Sequence, residues 1–166
     1  MILVTVGTQL PFERLVAAVD DWANRRLSKP EVLAQVGVGR ADYPSLKCVR
    51  LLDGPQYAEA VAAAELMVAH AGTGSILAGL DRGIPVIIMP RDHRRGEHRD
   101  DHQIQTARQL EKMGMVTVAW DEAELPNHIE RALVQSRAGR PARHRSTELV
   151  DYLRAYLKDV LGKAKP

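Results

Sequence analysis

The chain has 166 residues, 45% of them hydrophobic and 27% charged, with a formal net charge of +2. That length supports one domain with a core, burying about two-thirds of the unfolded surface, and the composition excludes a disordered or fibrous chain. The single cysteine, Cys48, excludes an intrachain disulfide framework and a multi-cysteine zinc site; the small net charge and 4% aromatic content argue against nucleic acid as a partner.

No apolar run reaches the roughly 18–20 residues that span a bilayer. The start, Met1 to Gly7, lacks a basic region and is too short for a signal peptide, so a cytoplasmic location is expected. Residues 2–6 are a short β-branched run ending at Gly7-Thr8, which predicts a buried strand and a turn. Pro11 suits a first helical turn, and Leu15, Val16, Val19 and Trp22 recur at helical spacing, so a helix is expected over 11–26. Strands follow at 31–36, closed by Gly37 and Gly39, and at 48–52. Residues 57–64 are Ala-rich and helical. A fourth strand at 66–69 is closed by His70-Ala-Gly-Thr-Gly-Ser75, and Ile76, Leu77 and Leu80 continue as a helix to Gly83. A fifth strand spans 86–89, a polar loop 91–100, a helix 101–113, a sixth strand 115–118 and a helix 121–135. Residues 137–145 read as an Arg/Gly/Pro linker, after which Ser146 caps a last amphipathic helix.

Short apolar strands alternating with helices predict an α/β fold: one Rossmann-like, doubly wound, parallel six-stranded sheet covered on both faces. The domain is expected over 1–136, with 137–166 a basic linker and helix that either pack on it or dock a partner. Ligands of such sheets bind at the carboxyl ends of the strands. Gly7, Thr8 and Gln9 follow strand 1, and His70 to Ser75 follow strand 4 and open a helix. Glycines let the backbone approach an anion, and the helix start offers free N–H groups and the positive end of a dipole. Thr73 and Ser75 add hydroxyls, and His70 a donor whose charge follows its surroundings. This is the chemistry of a diphosphate cradle. No Gly-Lys-Ser/Thr follows, so it is not a Walker A loop, and strand 1 carries no Gly-x-Gly-x-x-Gly, which argues against a nicotinamide cofactor. The competing reading is a tight strand–helix turn whose glycines serve packing alone.

The polar loop after strand 5 balances Arg91, Arg94, Arg95 and Arg99 against Asp92, Glu97, Asp100 and Asp101. Such donor–acceptor pairs suit a hydroxyl-rich ligand; the competing reading is a salt-bridged surface. His98 and His102 stand four apart, a metal spacing only if both lie on a helix. The carboxylates are expected to pair with the arginines, so no metal is expected. Trp22 is read as core and Cys48 as inert.

Val4-Thr-Val-Gly7-Thr8, Gln35-Val-Gly37, His70-Ala-Gly-x-Gly-Ser75, Gly83-x-Pro85, Pro90-Arg91 and Gly96-Glu97-His98-x-x-Asp101-His102-Gln103 occur in that order. Over roughly residues 1–120 this set resembles the C-terminal-domain family of glycosyltransferase family 28, of GT-B fold. Within it, the chain is similar to the stand-alone small subunits of two-component transferases, such as the PssE-type exopolysaccharide proteins and the small subunit of the eukaryotic UDP-GlcNAc transferase of N-glycan assembly. The resemblance implies a UDP-sugar donor, an inverting transfer and no metal or other cofactor. It places the diphosphate at Gly7, Thr8, Gln9, Gly72, Thr73, Gly74 and Ser75, and the uracil side at Gln35, Leu52 and Asp53. Donor sugar hydroxyls fall to Arg91, Glu97, Asp101, His102 and Gln103, and the catalytic role to His70, which stabilises departing UDP. One departure is Ala78, where many relatives carry a ribose-binding Glu; it favours an alternative, a non-catalytic nucleotide-binding or scaffolding subunit.

A complete GT-B enzyme has two such domains, and this length holds one. The resemblance therefore implies a membrane-anchored partner subunit supplying the acceptor side and the catalytic base, and a polyprenyl-diphosphate-linked acceptor at the cytoplasmic leaflet. The four arginines within 137–145 fit docking there, at about 1 kcal/mol each near an anionic surface. Self-association of the isolated chain as a homodimer through the partner-facing surface is a further expectation.

Overall fold

The computed structural model describes residues 1–40, 42–138, 151 and 155. Six strands, β1 (Ile2–Thr5), β2 (Val32–Gln35), β3 (Lys47–Val49), β4 (Leu66–His70), β5 (Val86–Met89) and β6 (Thr117–Val118), form one sheet in the order β3-β2-β1-β4-β5-β6. Every pairing is parallel. Among the described residues up to 138, the α-helices that connect or follow them are α1 (Glu13–Asn24), α2 (Gly54–Ala63), α3 (Thr73–Arg82), α4 (His102–Lys112) and α5 (Leu125–Arg137). The α/β, doubly wound architecture expected from the sequence is present.

Strand alternation sorts the apolar residues onto two faces. Ile2, Val4, Leu66, Val68, Ile87 and Met89 join Leu15, Val16, Val19 and Trp22 of α1 and Leu125, Ile129 and Leu133 of α5. Leu3, Met67, Ala69, Val86 and Ile88 join Ile76 and Leu80 of α3 and Ala107 and Leu110 of α4 on the other face. Both faces are covered, which is why the strands read as continuous apolar runs. Trp22 lies in the first cluster, 4% exposed, and its Nε1–H donates to Glu130 Oε1 at 2.8 Å, tying α1 to α5.

The chain builds β1, β2 and β3 outward in one direction, then returns to place β4 against the free side of β1. The two connections that leave β1 and β4 therefore diverge to opposite faces. A crevice opens between them at the carboxyl edge of the sheet, the switch point where such folds take ligands.

Several boundaries differ from expectation for identifiable reasons. Helix α1 starts at Glu13 rather than Pro11, because the carbonyls of Leu10 and Pro11 accept hydrogen bonds from the Arg91 guanidinium. β3 ends at Val49, and α2 begins at Gly54 rather than Tyr57, because Asp53 caps the helix. Its side chain accepts from the Gln56 N–H while the Gln56 side chain accepts from the Asp53 N–H, a reciprocal capping box followed by Pro55 in the first turn. α3 begins at Thr73, so the residues expected in a loop form its first turn. α5 runs from Leu125 to Arg137, through the start of the expected linker. The rest of that linker beyond Ala138, and the helix expected from Ser146 apart from residues 151 and 155, lie outside the described residues. Among the described residues, no helix is long and apolar enough to cross a membrane.

Asp53→Ala removes the cap and should lower the unfolding free energy by about 1 kcal/mol. Urea denaturation followed by circular dichroism measures this as a lower midpoint with an unchanged slope.

Candidate anion-binding site

A cleft of about 360 Å³ opens at the switch point. Its walls come from Val6 to Leu10 after β1, from His70 and Gly72 to Ser75 after β4, and from Arg91, His98, His102 and Gln103 after β5. None of these lining residues is a carboxylate, so the electrostatic character of the cleft favours an anion.

The first turn of α3 supplies the donors. Gly72 occupies the N-cap position, and the first helical bond runs from the Ile76 N–H to the Gly72 carbonyl at 3.1 Å. The N–H groups of Thr73, Gly74 and Ser75 precede that bond and have no acceptor among the described residues. The Gly72 N–H differs: it bonds to the His70 carbonyl at 2.8 Å. Three adjacent free donors at the positive end of a helix have the geometry that binds an anion.

The glycines of this segment serve different ends. A Cβ on Gly72 would stand 2.1 Å from His70 Nε2, and one on Gly7, whose φ is +79°, would stand 2.8 Å from the same atom. Both must be Gly for the imidazole to sit between them. A Cβ on Gly74 would meet nothing within 4 Å. Packing therefore explains Gly72 and leaves Gly74 to the cleft.

His70 is largely enclosed, with Nδ1 3.4 Å from the Thr5 carbonyl. A carbonyl accepts, so Nδ1 carries the proton and Nε2, beside the two glycines, is left with its lone pair. Burial, reinforced by the Arg91 guanidinium, lowers its pKa from 6.5 to about 4. His70 is thus neutral at pH 7.

Arg91 is 2% exposed. Its Nη2 donates to the carbonyls of Val6 and Leu10 at 2.7 Å each, and its Nη1 to those of Pro11 at 2.6 Å and Glu97 at 3.2 Å. The guanidinium stacks 4.6 Å from the Phe12 ring centre. Burial lowers its pKa to about 10 against the raising effect of Glu97, which leaves it cationic at neutral pH. Arg91 thus positions the β1–α1 turn while placing a fixed positive charge at the cleft wall.

The other residues singled out by sequence fall into three groups. Gly7, Thr8, Gln9, Gly72, Thr73, Gly74, Ser75, His70, Arg91, His102 and Gln103 meet at the cleft. Gln35 acts on it indirectly, its side-chain Nε2 donating to the Gly7 carbonyl at 3.1 Å. Leu52, Asp53, Glu97 and Asp101 are not among the lining residues. Glu97 is held bidentate by Arg14, both contacts at 2.8 Å. Asp101 accepts from His93 Nδ1 at 2.6 Å. The Gln103 amide oxygen accepts from the Arg91 backbone N–H at 3.2 Å.

The carboxylates of the loop only half follow expectation. Asp92 pairs with Arg94 and Glu97 with Arg14, but Asp100 and Asp101 face histidines. Sequence reading gave no role to Arg14, which joins α1 to Glu97, to Glu122 at 3.1 Å and to the Pro90 carbonyl at 3.3 Å. No local spacing signals that pairing. A larger groove, about 620 Å³, lies beside Arg14, Asp21, Arg25 and Glu122. Arg14 is neutralised there by its two glutamates, and Arg25 Nε bonds to the Asp21 carbonyl, so it offers less to an anion than the cleft does.

Comparisons with known proteins give the family and the fold. The glycosyltransferase family 28 C-terminal domain matches residues 1–151. A curated relative from Salinibacter ruber (strain DSM 13855 / M31), the UDP-N-acetylglucosamine–N-acetylmuramyl-(pentapeptide) pyrophosphoryl-undecaprenol N-acetylglucosamine transferase, is 31% identical over 129 residues; the match takes in 74% of this chain and 33% of the relative. The chain thus spans about a third of that relative's length. The crystal structure of Acinetobacter baumannii MurG superposes with a TM-score of 0.62 at 16% identity, covering 92% of this chain and 49% of MurG. The solution structure of ALG13 superposes at 0.57 with 21% identity, covering 92% of this chain and 93% of ALG13. At those identities the structural likeness establishes the fold.

Because His70 is held neutral, folding opposes its protonation. Its contribution is full above pH 6.5 and is lost as pH falls toward 4. The loss should reach about 2 kcal/mol by pH 4.5. Thermal melts of wild type and His70→Asn across pH 4.5–7.5 measure it: the wild type should lose stability more steeply on the acid side, and the two slopes should coincide above pH 7.

Proposed function

The chain belongs to the glycosyltransferase family 28 C-terminal domain family, and from that premise we propose that it binds the UDP-sugar donor of an inverting glycosyltransferase. The observation that carries this reading is the set of unpaired N–H groups of Thr73, Gly74 and Ser75 lining a cleft without carboxylates. A diphosphate seated there is held between the α3 start and the Gly7–Gln9 turn. As the sugar–phosphate bond breaks, charge grows on the departing UDP. Preorganised amides and the fixed Arg91 cation stabilise that charge without reorganisation. A diphosphate beside His70 Nε2 draws a proton onto the ring and turns a lone pair into a donor. This departure needs no metal or other cofactor.

The uracil lies toward Gln35, Leu52 and Asp53 in this reading. Sugar hydroxyls meet His98, His102 and Gln103, while Glu97 and Asp101, already engaged by Arg14 and His93, shape the loop. The acceptor and the catalytic base come from a second, membrane-anchored subunit. In this reading the chain is a small subunit of the PssE type, which the family resemblance suggests. The acceptor is a polyprenyl-diphosphate-linked sugar, a class that the Salinibacter relative's name also states, and the product belongs to exopolysaccharide synthesis at the inner face of the membrane. A second reading, a non-catalytic nucleotide-binding subunit, is favoured by Ala78, which puts no carboxylate at the position where the family resemblance places the ribose-binding Glu.

Titration calorimetry separates these readings. Wild type should bind UDP, and bind particular UDP-sugars with different affinity. Gly74→Val should weaken binding at least tenfold while the protein stays folded, since the site for its Cβ is open. Binding indifferent to the sugar supports the non-catalytic reading. Absence of UDP binding, or unchanged affinity in Gly74→Val, refutes the cradle.

A further inference from the structure

At the rim of the cleft, His98, Asp100 and His102 each offer one ligand atom, and the three atoms lie within 4.8 Å of one another. We propose that these residues form a binding site for a divalent transition ion of the zinc class, with its open coordination position toward the cleft. His98 Nδ1 and Asp100 Oδ1 are 3.3 Å apart. Ligands held about 2.0–2.1 Å from a tetrahedral zinc ion stand about 3.3 Å from each other. His102 Nδ1 meets the same Asp100 oxygen directly. Both imidazoles thus turn the same type of nitrogen to one carboxylate oxygen, with their rings edge-to-face and centroids 4.5 Å apart.

The protonation pattern fits. His98 Nδ1 accepts a long 3.4 Å bond from the Asp100 N–H, so it is the unprotonated nitrogen. The hydrogen bond between His102 Nδ1 and Asp100 stands where the ion would sit, and the neutral imidazole frees Nδ1 for the ion by carrying its proton on Nε2. The His102 backbone N–H donates to Asp100 Oδ1 at 3.1 Å and so fixes the orientation of the carboxylate. Two imidazoles and one carboxylate select zinc, cobalt or nickel over magnesium or calcium. Three protein ligands leave a fourth position free, and both histidines line the cleft. Helical spacing does not create this site, because His98 precedes α4 and the turn at 98–101 brings it to His102.

The neighbouring trio of Asp92, His93 and Asp101 is the poorer candidate. It has one imidazole, and the Arg94 guanidinium, 3.0 Å from Asp92, occupies its carboxylate with a cation.

A bound ion adds positive charge beside the diphosphate cradle and ties the 98–102 turn to the start of α4. Ion and nucleotide therefore strengthen each other's binding. This coupling rests on the diphosphate reading; the ion site itself does not.

Cobalt(II) serves as the probe, titrated into the untagged chain without nucleotide and followed by its visible d–d bands and by calorimetry. One equivalent should bind with tetrahedral-type absorption. His98→Gln, Asp100→Asn and His102→Gln should each weaken binding at least tenfold, with His93→Gln unchanged. Circular dichroism melts on every variant separate ligand loss from misfolding. Absence of binding at millimolar cobalt, or a loss that follows His93 instead, overturns the site. In a second arm, UDP affinity is measured with and without one equivalent of zinc. At least a threefold gain, absent in His102→Gln, supports the coupling. An unchanged affinity overturns the coupling while leaving the ion site to the first arm.

Discussion

A helix that begins at the carboxyl end of a central strand carries backbone N–H groups with no helical acceptor, and most proteins satisfy them with a side-chain cap. α2 does so through Asp53 and Gln56. α3 does not: its N-cap is Gly72, no side chain reaches back, and the N–H groups of Thr73, Gly74 and Ser75 face a cleft. The same chain thus caps one helix and leaves another open, and the open one stands at the switch point between β1 and β4.

Keeping that end open requires rigid surroundings. The β1–α1 turn has little regular structure of its own, and it is fixed instead by side chains from distant segments. Arg91 binds three of its carbonyls and Gln35 a fourth. Arg91 is in turn steadied by Phe12, Gln103 and the Glu97 carbonyl. Burying a guanidinium is costly unless its donors are met, and here four carbonyls meet them. The resulting wall is both rigid and positive, which suits a site that must stabilise charge without moving.

Much of the fold was legible because it rests on short-range patterning. The strands read as apolar runs since both faces are covered, and β5 matched its expected limits. The start of α2 was also encoded, in the Asp53-Gly-Pro-Gln56 capping signature, but went unread beside the Ala-rich run that follows. The cleft was partly legible, because Gly7 to Gln9 and His70 to Ser75 are contiguous segments whose chemistry is local. The loop after β5 was not. Its balanced charges announced ion pairs, but the partner of Glu97 is Arg14, which stands 83 residues away and is brought near only by the sheet order. Once Arg14 holds Glu97 and the turn places His98 near His102, Asp100 and Asp101 are left to histidines. Arg91, expected to face a sugar, points its donors at backbone carbonyls instead, because the β1–α1 turn leaves those carbonyls unpaired.

We propose that the amides opening α3 are reserved for a nucleotide diphosphate. Two-dimensional ¹H–¹⁵N spectra of the labelled chain during a UDP titration test it at those atoms. The amide protons of Thr73, Gly74 and Ser75 should move downfield, with shifts among the largest in the spectrum. Saturation with UDP that leaves these three resonances in place, whatever moves elsewhere, would mean that the α3 amides do not hold the diphosphate.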